Sequence, residues 1–300
     1  MIDKQQTLLS PLALSTVPKE KVIVILGPTA SGKTALAVKI AKELNAEIIS
    51  ADSRQVYRRM DIGTGKDLSE YGDIPHHLIN ICDPGEKYHL GQFIEDFQRV
   101  YESLLSQGKR IILCGGTGLY IQSVLQGNKY AQIPSQSGFK EALYQFDHEE
   151  LLTRLSKYQK PPDLYLDLST KKRIIRGIEV LEWLKHHSLA PMNNKNLDSL
   201  VIGLNPDVML RREKISNRLK QRIQDGLIAE VEGLLVSGVS HAELQYYGLE
   251  YKYVSKYLLG ELNYADFYKK LETEIHRYAK RQMTYFRKME KDGITINWID

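Results

Sequence analysis

The sequence contains little cysteine, no long apolar run and only a small excess of positive charge. Each of these features excludes some classes of protein. Two cysteines, Cys82 and Cys114, occur in 300 residues. They supply neither a disulfide framework nor a cysteine-rich metal site, so we expect a reducing, cytoplasmic setting. No apolar run approaches the roughly 18 residues of a spanning helix, so we expect a soluble protein without a membrane partner. A formal net charge of +4 does not by itself indicate a nucleic-acid partner, although local basic clusters can.

The composition is otherwise that of a globular protein. Hydrophobic residues make up 42% of the chain and charged residues 26%, which is enough to bury a core and excludes a wholly disordered chain. The first residues are interrupted by Pro11 and Pro18 and lack the patterns of signal and transit peptides. We therefore interpret residues 1–20 as a flexible N-terminal tail.

Short apolar segments alternate with helical segments in the part that follows. Residues 21–26, 47–50 and 110–114 read as buried strands, because they are brief, apolar and rich in β-branched side chains. Residues 35–44 and 93–107 have helical spacing. This alternation predicts an α/β fold with a P-loop NTPase-like parallel sheet flanked by helices.

The second half of the chain is predicted to be mostly helical. Residues 128–187 hold no convincing strand, and helices over 140–155 and 171–187 predict a small all-helical insertion domain. A polar linker is expected at 188–200. The segments of the α/β core are then 21–127 and 201–300.

The C-terminal part of that core is expected to contribute one more strand to the sheet and two long helices. Residues 201–204 can rejoin the sheet. One helix is predicted over 207–236, because apolar residues recur at four-residue steps, and another over 264–288. The apolar stripe of the first helix consists of Leu219, Ile223, Leu227 and Val231.

Residues 27–34, GPTASGKT, match the pattern G-x-x-x-x-G-K-[ST] of nucleotide-binding and ATP-binding P-loop proteins. The glycines let backbone N–H groups surround phosphate oxygens, and the following helix adds positive potential. Lys33 supplies a charge, and Thr34 can bind Mg²⁺. The motif alone indicates only a ligand with a diphosphate. The predicted diphosphate-binding residues are Gly27, Pro28, Thr29, Ala30, Ser31, Gly32, Lys33 and Thr34.

Asp52 directly follows the second strand, and the carboxyl ends of parallel strands meet at one edge of the sheet. We therefore expect Asp52 beside the phosphate loop, where a carboxylate can bind magnesium, orient a substrate hydroxyl or amine, or take its proton. The third strand runs into a Gly-Gly-Thr-Gly turn at 115–118, without the acidic residue that holds magnesium in many P-loop hydrolases. This favours group transfer over an NTP-driven motor.

Basic residues recur at helical spacing in the C-terminal half. One stripe comprises Arg211, Lys214, Arg218 and Arg222, another comprises Arg277, Lys280, Arg281 and Arg287, and a third cluster lies at 171–176. Either stripe alone is typical of a solvated face, but together with a phosphate loop they favour a polyanionic substrate. Tyrosines are dense between residues 246 and 285. They can stack on RNA bases, although helix packing is the expected role of most.

Five further motifs occur with the phosphate loop in one order: ADSRQVYRRMDIGTGK at 51–66, PHHLINICDP at 75–84, GGTGLY at 115–120, DGLIAEV at 225–231 and AKRQMTYFR at 279–287. In this combination the sequence resembles the tRNA dimethylallyltransferase (tRNA isopentenyltransferase) family, from about residue 21 to residue 290. The resemblance implies transfer of a dimethylallyl group from dimethylallyl diphosphate to N6 of the adenosine 3′ of the anticodon. The products would be N6-dimethylallyladenosine and diphosphate, and the cofactor would be Mg²⁺.

The resemblance also implies residue roles. Lys33, and magnesium at Thr34, would stabilise the leaving diphosphate. Asp52 would be the general base or the orienting acceptor for the adenine amine, Thr117 would position the reacting groups, and Arg218 would lie near the diphosphate. The insertion would close over the anticodon stem-loop, with the adenosine flipped out. The predicted tRNA-binding residues are Asp52, Ser53, Arg54, Gln55, Thr117, Lys140, Lys172, Arg173, Ile174, Ile175, Arg176, Lys280 and Arg281.

Some positions depart from the pattern of that family. Leu249 and Glu250 stand where the family has an aromatic and a basic residue, Lys214 stands where arginine is common, and His276 lies in a similarly altered segment. Three alternatives stay open: an adenine-nucleotide isopentenyltransferase of cytokinin synthesis, a P-loop small-molecule kinase, and a non-catalytic RNA-binding paralogue. The insertion and the basic helices favour tRNA, since a mononucleotide needs no such surface. We expect a monomer.

Overall fold

A computed structural model describes residues 14–189 and 197–300, and its centre is a six-stranded sheet. Every strand pairing in the sheet is parallel, in the spatial order β3-β2-β4-β1-β5-β6. The strands are β1 (Val22–Leu26), β2 (Ala46–Ser50), β3 (His76–His77), β4 (Arg110–Gly115), β5 (Ser199–Leu204) and β6 (Asn297–Ile299). The predicted fold class is confirmed. Strand β1 lies between β4 and β5, which puts the phosphate loop at the centre of the carboxyl edge.

The helices follow the apolar periodicity of the sequence in most places. In chain order they are α1 (Lys33–Leu44), α2 (Leu90–Ser106), α3 (Gly118–Gln126), α4 (Ser137–Leu143), α5 (His148–Leu155), α6 (Lys171–His186), α7 (Val208–Gln224), α8 (Leu227–Val236), α9 (His241–Leu244), α10 (Leu249–Leu258) and α11 (Tyr264–Lys291). Short 3₁₀ helices lie at Leu68–Glu70 and Lys129–Gln132. Within the described residues, no helix is both long enough and apolar enough to cross a membrane.

Two predicted helices are each divided in the structure. The helix expected over 207–236 is interrupted at Gly226, whose φ of 103° is left-handed and cannot continue a right-handed helix. The apolar stripe nevertheless continues from α7 into α8. The helix expected over 140–155 is also two helices. Asp147 begins the second one, because it forms a capping box with Glu150.

The chain divides into two compact units. Among the described residues, the first unit comprises 14–89, 93–125 and 197–300, and the second comprises 90–92 and 126–189. In the first unit the core surrounds the sheet. From residue 126 to residue 189 the second unit has only helices and loops, and they enclose an apolar cluster that includes Leu151 and Ile178.

The predicted tail at 1–20 and the predicted linker at 188–200 overlap only partly with the described residues. Residues 1–13 and 190–196 lie outside them. Leu14 is not in a free tail, because its side chain is only 1% exposed and belongs to the core beside the sheet. The Arg110 guanidinium also donates to the Ser15 carbonyl at 3.0 Å. At the other segment, β5 begins at Ser199, two residues before the predicted strand.

Candidate active site

The phosphate loop joins β1 to α1 through a tight backbone curl. Ala30 and Gly32 have φ values of 61° and 86°, in the left-handed region. A Cβ on Gly27 would lie 2.6 Å from Ser31 Oγ, so a side chain there would displace the Ser31 hydroxyl. Ser31 Oγ is buried and has no hydrogen-bond partner among the described residues. A buried hydroxyl without a partner is costly, and an oxygen of a bound phosphate would supply the missing partner.

Lys33, the first residue of α1, is partly buried beside this loop. Burial lowers the pKa of Lys33 below its ordinary value, Cys114 and Asp52 oppose that shift, and Arg218 and Arg222 add to it. Within the described chain Lys33 forms no ion pair. Its ammonium group therefore has the surroundings of a cation that binds an anionic ligand.

The ends of β2 and β4 are joined by hydrogen bonds beside the loop. The Thr117 N–H donates to the Ala51 carbonyl at 3.2 Å, and the Ser53 N–H donates to Thr117 Oγ1 at 3.1 Å. The Arg54 N–H donates to Asp52 Oδ1 at 2.9 Å. A Cβ on Gly115 would lie 2.2 Å from the Ala51 carbonyl oxygen, so this close approach needs glycine. The structure thus places Thr117 beside the Asp52 turn, and the charge of Asp52 reaches Lys33.

Helix α7 contributes two arginines on the other side of the loop. A small pocket is lined by Thr29, Ala30, Ile215, Arg218, Leu219, Arg222 and Ile275. Arg218 donates to the Gly65 carbonyl at 3.3 Å and pairs with the Asp67 carboxylate. Arg222 Nη1 lies 3.2 Å from Glu250 Oε1 in a buried pair, whose side chains are 13% and 16% exposed. These arginines face the phosphate loop, so a solvated stripe is the wrong interpretation for this half of α7.

Comparisons with known proteins agree with this arrangement. A family model described as IPP transferase matches residues 55–289, and one described as isopentenyl transferase matches residues 20–71. The chain belongs to the IPP transferase family. The predicted family is confirmed.

Curated relatives resemble the chain over nearly its whole length. It is 49% identical over 286 residues to a protein of Phocaeicola vulgatus named tRNA dimethylallyltransferase 2, covering 94% of this chain and 93% of the relative. It is 49% identical over 284 residues to tRNA dimethylallyltransferase 1 of Parabacteroides distasonis, covering 93% and 92%.

Solved structures of related proteins share the fold. The tRNA isopentenylpyrophosphate transferase of Bacillus halodurans has a TM-score of 0.68 and 31% identity, covering 94% of this chain and 90% of that one. A eukaryotic dimethylallyltransferase acting on tRNA has a TM-score of 0.72, covering 93% and 74%. At 23% identity, this second likeness concerns the fold alone.

The glutamate that departs from the family pattern lies inside the site. Glu250 is in the first turn of α10, and burial raises its pKa while Arg222 and Arg218 lower it. Burial likewise lowers the pKa of Arg222. An acidic residue in place of a basic one is therefore matched here by a buried arginine on α7.

The predicted RNA contacts near Asp52 are only partly available. Arg54 is half-buried, and its guanidinium carbon lies 5.2 Å from the centre of the Tyr246 ring. Gln55 is buried: its Nε2 donates to the Gly65 carbonyl at 3.2 Å and its Oε1 accepts from Ser50. The Gln55 side chain therefore holds the following loop, and the role of Gln55 in tRNA binding stays a prediction. Lys280 and Arg281 are exposed on α11.

The predicted tRNA contacts in the second unit are also partly exposed and partly buried. Lys172 and Arg173 are exposed, whereas Ile174 and Ile175 are fully buried in the core of the unit. The side chains of the two isoleucines pack inside this core, and the role of these two residues in tRNA binding stays a prediction. Arg176 donates to the Ile133 carbonyl at 2.6 Å and holds the chain before α4. Lys140 is partly exposed on α4.

Three polar residues of the site, of which Lys66 and Gln282 are buried, were not singled out from the sequence. Glu230 accepts from the N–H groups of residues 61, 62 and 63 at 2.7, 2.7 and 2.9 Å. Lys66 Nζ is buried and donates to Asp61 and Asn80. Gln282 bonds to both loops of the active site. All three residues lie inside motifs that point to the family. A polar residue within an apolar helix face is the additional signal for Gln282 and Glu230.

The residues present fit a magnesium ion at the phosphate loop. Thr34 offers a hydroxyl in the first turn of α1, and Asp52 offers a carboxylate nearby. Magnesium prefers such oxygen ligands together with substrate phosphates and water. No group of three or more His, Cys, Asp or Glu side chains suited to a metal occurs within residues 14–189 and 197–300.

Proposed function

We propose that this protein is a tRNA dimethylallyltransferase, which transfers the dimethylallyl group of dimethylallyl diphosphate to N6 of the adenosine 3′ of the anticodon. The observation that carries the proposal is the convergence of an anion-binding loop and a separate carboxylate at one edge of the sheet. The loop has an ammonium group without an ionic partner in the described chain, and the charge of Asp52 acts on that group. The names of the relatives support tRNA as the acceptor.

The reaction needs a neutralised leaving group and an oriented amine. The C1–O bond of the allylic diphosphate breaks as the bond between C1 and the adenine N6 forms. Lys33, Arg218 and Arg222 stabilise the charge that develops on the diphosphate. Asp52 orients the amine and takes its proton, while Thr117 holds the backbone beside Asp52.

Magnesium held by Thr34 would neutralise further charge on the diphosphate when it is bound. No water needs activation in this reaction. The absence of a carboxylate at the end of β4, where the chain continues as Gly115-Gly116-Thr117, therefore suits transfer to an amine.

The tRNA itself requires a wider basic surface. We propose that Lys280 and Arg281 on α11 bind tRNA phosphates, and that the exposed Lys172 and Arg173 of the second unit also bind phosphates of the tRNA. Tyr246 is exposed beside Arg54 and is suited to stacking on an unpaired base.

A monomer is sufficient for this chemistry, because every group it uses belongs to one chain. A cytoplasmic location fits two free, buried cysteines and a tRNA substrate.

The test is transfer from radiolabelled dimethylallyl diphosphate to an anticodon stem-loop. We expect label on the stem-loop that has adenosine 3′ of the anticodon and none on a stem-loop with guanosine there. AMP, ADP and ATP are offered in parallel. Equal or better turnover of these nucleotides would establish a nucleotide isopentenyltransferase, and phosphorylated product from labelled ATP would establish a kinase.

The Asp52→Ala variant tests the role of the carboxylate. We expect transfer to fall by roughly 10²–10⁴-fold while the dissociation constant for the stem-loop stays within about twofold. Asp73→Ala, which removes an exposed carboxylate outside the site, is the control. A wild-type transfer rate for Asp52→Ala would remove Asp52 from the mechanism.

A further inference from the structure

One buried side chain connects the two loops of the active site. Gln282 Oε1 accepts a hydrogen bond from the Thr29 N–H at 2.9 Å. Gln282 Nε2 donates to the Gly116 carbonyl, also at 2.9 Å. The residue is 7% exposed, so water does not compete readily for either group. A single amide thus joins segments that are far apart along the chain.

The two bonded segments serve opposite halves of the reaction. Thr29 lies in the diphosphate loop, which holds the donor substrate. Gly116 directly precedes Thr117, whose hydroxyl oxygen accepts from the Ser53 N–H beside Asp52. The separation of these two segments therefore contributes to the separation of the donor side and the acceptor side of the site.

Only an amide of this length suits the position. The Thr29 N–H needs an acceptor and the Gly116 carbonyl needs a donor, and glutamine supplies one of each. A Cβ on Gly116 would lie 2.5 Å from Gln282 Nε2, so the two segments are in close contact. Loss of the amide would leave a buried N–H and a buried carbonyl without these partners.

Helix α11 is a firm support for this amide. Three residues around Gln282 on the same helix, Ala279, Met283 and Phe286, are buried in the core. One turn further on, the Tyr285 ring packs against Gly118, where a Cβ would lie 2.4 Å from it. The helix therefore contacts the turn after β4 at two places, while Lys280 and Arg281 remain exposed.

We propose that Gln282 is a positioning residue that sets the separation between the diphosphate loop and the acceptor side of the active site. The proposal rests on the proposed function. Gln282 touches neither substrate in this arrangement and acts through the backbone of Thr29 and Gly116. A displacement of about 1 Å between reacting groups is enough to cost about 100-fold in rate.

The test compares Gln282→Leu with Gln282→Glu. The leucine variant loses both hydrogen bonds. The glutamate variant keeps the shape and the acceptor for Thr29 but, when ionised, places a negative oxygen against the Gly116 carbonyl. We expect kcat for dimethylallyl transfer to fall about 100-fold in both. Dissociation constants for inorganic diphosphate and for the stem-loop should stay within about twofold of the wild-type values.

Gln122→Leu is the matched control. Gln122 also makes two hydrogen bonds to α11, since it accepts from the Tyr285 hydroxyl and donates to Asp292 at the end of the helix. It contacts neither loop through these bonds, so its removal should leave kcat unchanged. Thermal unfolding of all three variants separates a positioning effect from a general loss of stability.

Unchanged kcat in Gln282→Glu overturns the proposal, and so does an equal loss of diphosphate binding, stem-loop binding and kcat. If Gln282→Leu does not fold, the glutamate variant decides, since it conserves volume. Failure of the wild-type protein to modify the stem-loop would instead refute the proposed function, before any variant is measured.

Discussion

Helices α7 and α11 both carry basic stripes at helical spacing, yet the fold turns Arg218 and Arg222 of the α7 stripe inward and leaves the α11 stripe outside. On α7, Arg218 and Arg222 reach the Gly65 carbonyl and the Glu250 carboxylate beside the phosphate loop. On α11, the basic residues at 277–287 are exposed. The spacing of charges identifies residues that share a helix face. It does not identify which face the rest of the chain covers.

The loop at 61–66 is what covers the stripe on α7. Glu230 binds three successive backbone N–H groups at the start of this loop, and buried Lys66 closes its end against Asp61 at 2.6 Å. Gly65 lies against Arg222, where a Cβ would be 1.6 Å from the guanidinium. The loop therefore presents fixed oxygen acceptors to α7, whereas α11 uses its apolar face for packing.

The largest effect on the inward stripe is expected from Glu250→Leu. This change leaves Arg222 buried without its carboxylate, and an uncompensated buried charge costs about 3–5 kcal/mol of unfolding free energy. Urea denaturation measures the change. Replacing both partners with leucine should recover much of the loss, because the desolvation of both charges is then avoided.

The outward stripe supplies the control for this prediction. Glu274 pairs with Arg277 at 2.6 Å on α11, with the arginine 66% exposed. Glu274→Ala should change the unfolding free energy by no more than about 0.5 kcal/mol. A similarly small change for Glu250→Leu would show that the inward pair is no more important than the outward one.

Arg218→Ala is expected to have the next largest effect, and on catalysis. Removal of a fixed cation from the leaving diphosphate should lower the single-turnover transfer rate by about 10²-fold. Stem-loop affinity should remain near the wild-type value. Arg212→Ala removes an exposed arginine of the same helix and should not change the rate. Equal rates for the two variants would contradict the inward role of Arg218.

The sequence predicts much of the fold because strands β1, β2 and β4 are apolar, short and flanked by clear turn residues. The two edge strands are not predictable in this way. Strand β3 is only His76–His77 and β6 only Asn297–Ile299, so neither is long enough for a pattern. The division of the 207–236 helix depends on the φ of Gly226, which the sequence leaves open.

In the candidate site, too, local sequence patterns predict some residues, whereas the roles of others depend on contacts between distant parts of the chain. The phosphate loop and Asp52 are predictable, because strand order places them at one edge of the sheet. Gln55 and Ile175 lie in predicted RNA-binding segments, but tertiary packing buries their side chains. Gln282 and Glu230 act on backbone groups far away in the chain, and such partners cannot be read from spacing.

The role of Lys33 can be tested through the pH dependence of diphosphate binding. Its pKa is lowered by burial, so the free protein loses this charge at a lower pH than an ordinary lysine. Affinity for inorganic diphosphate should then fall by up to about tenfold per pH unit above that pKa. Lys33→Arg keeps the charge and should flatten the decrease, since titration of the ligand is common to both proteins. A parallel pH profile for the two proteins would contradict this assignment.

The smallest effect is expected from Arg281→Ala on the outward stripe. Arg281 is 57% exposed at the side chain, with Glu274 only at 4.0 Å, so it is available for a phosphate. Its removal should weaken stem-loop binding by about 1 kcal/mol and reduce the salt dependence by about one counterion. Transfer at saturating stem-loop should not change. Arg99→Ala, an exposed arginine on α2, is the control. If Arg281→Ala and the wild-type protein have the same stem-loop affinity at both low and high salt, the basic stripe on α11 is ordinary solvated surface. The contrast would then be between functional arginines on α7 and solvated basic residues on α11.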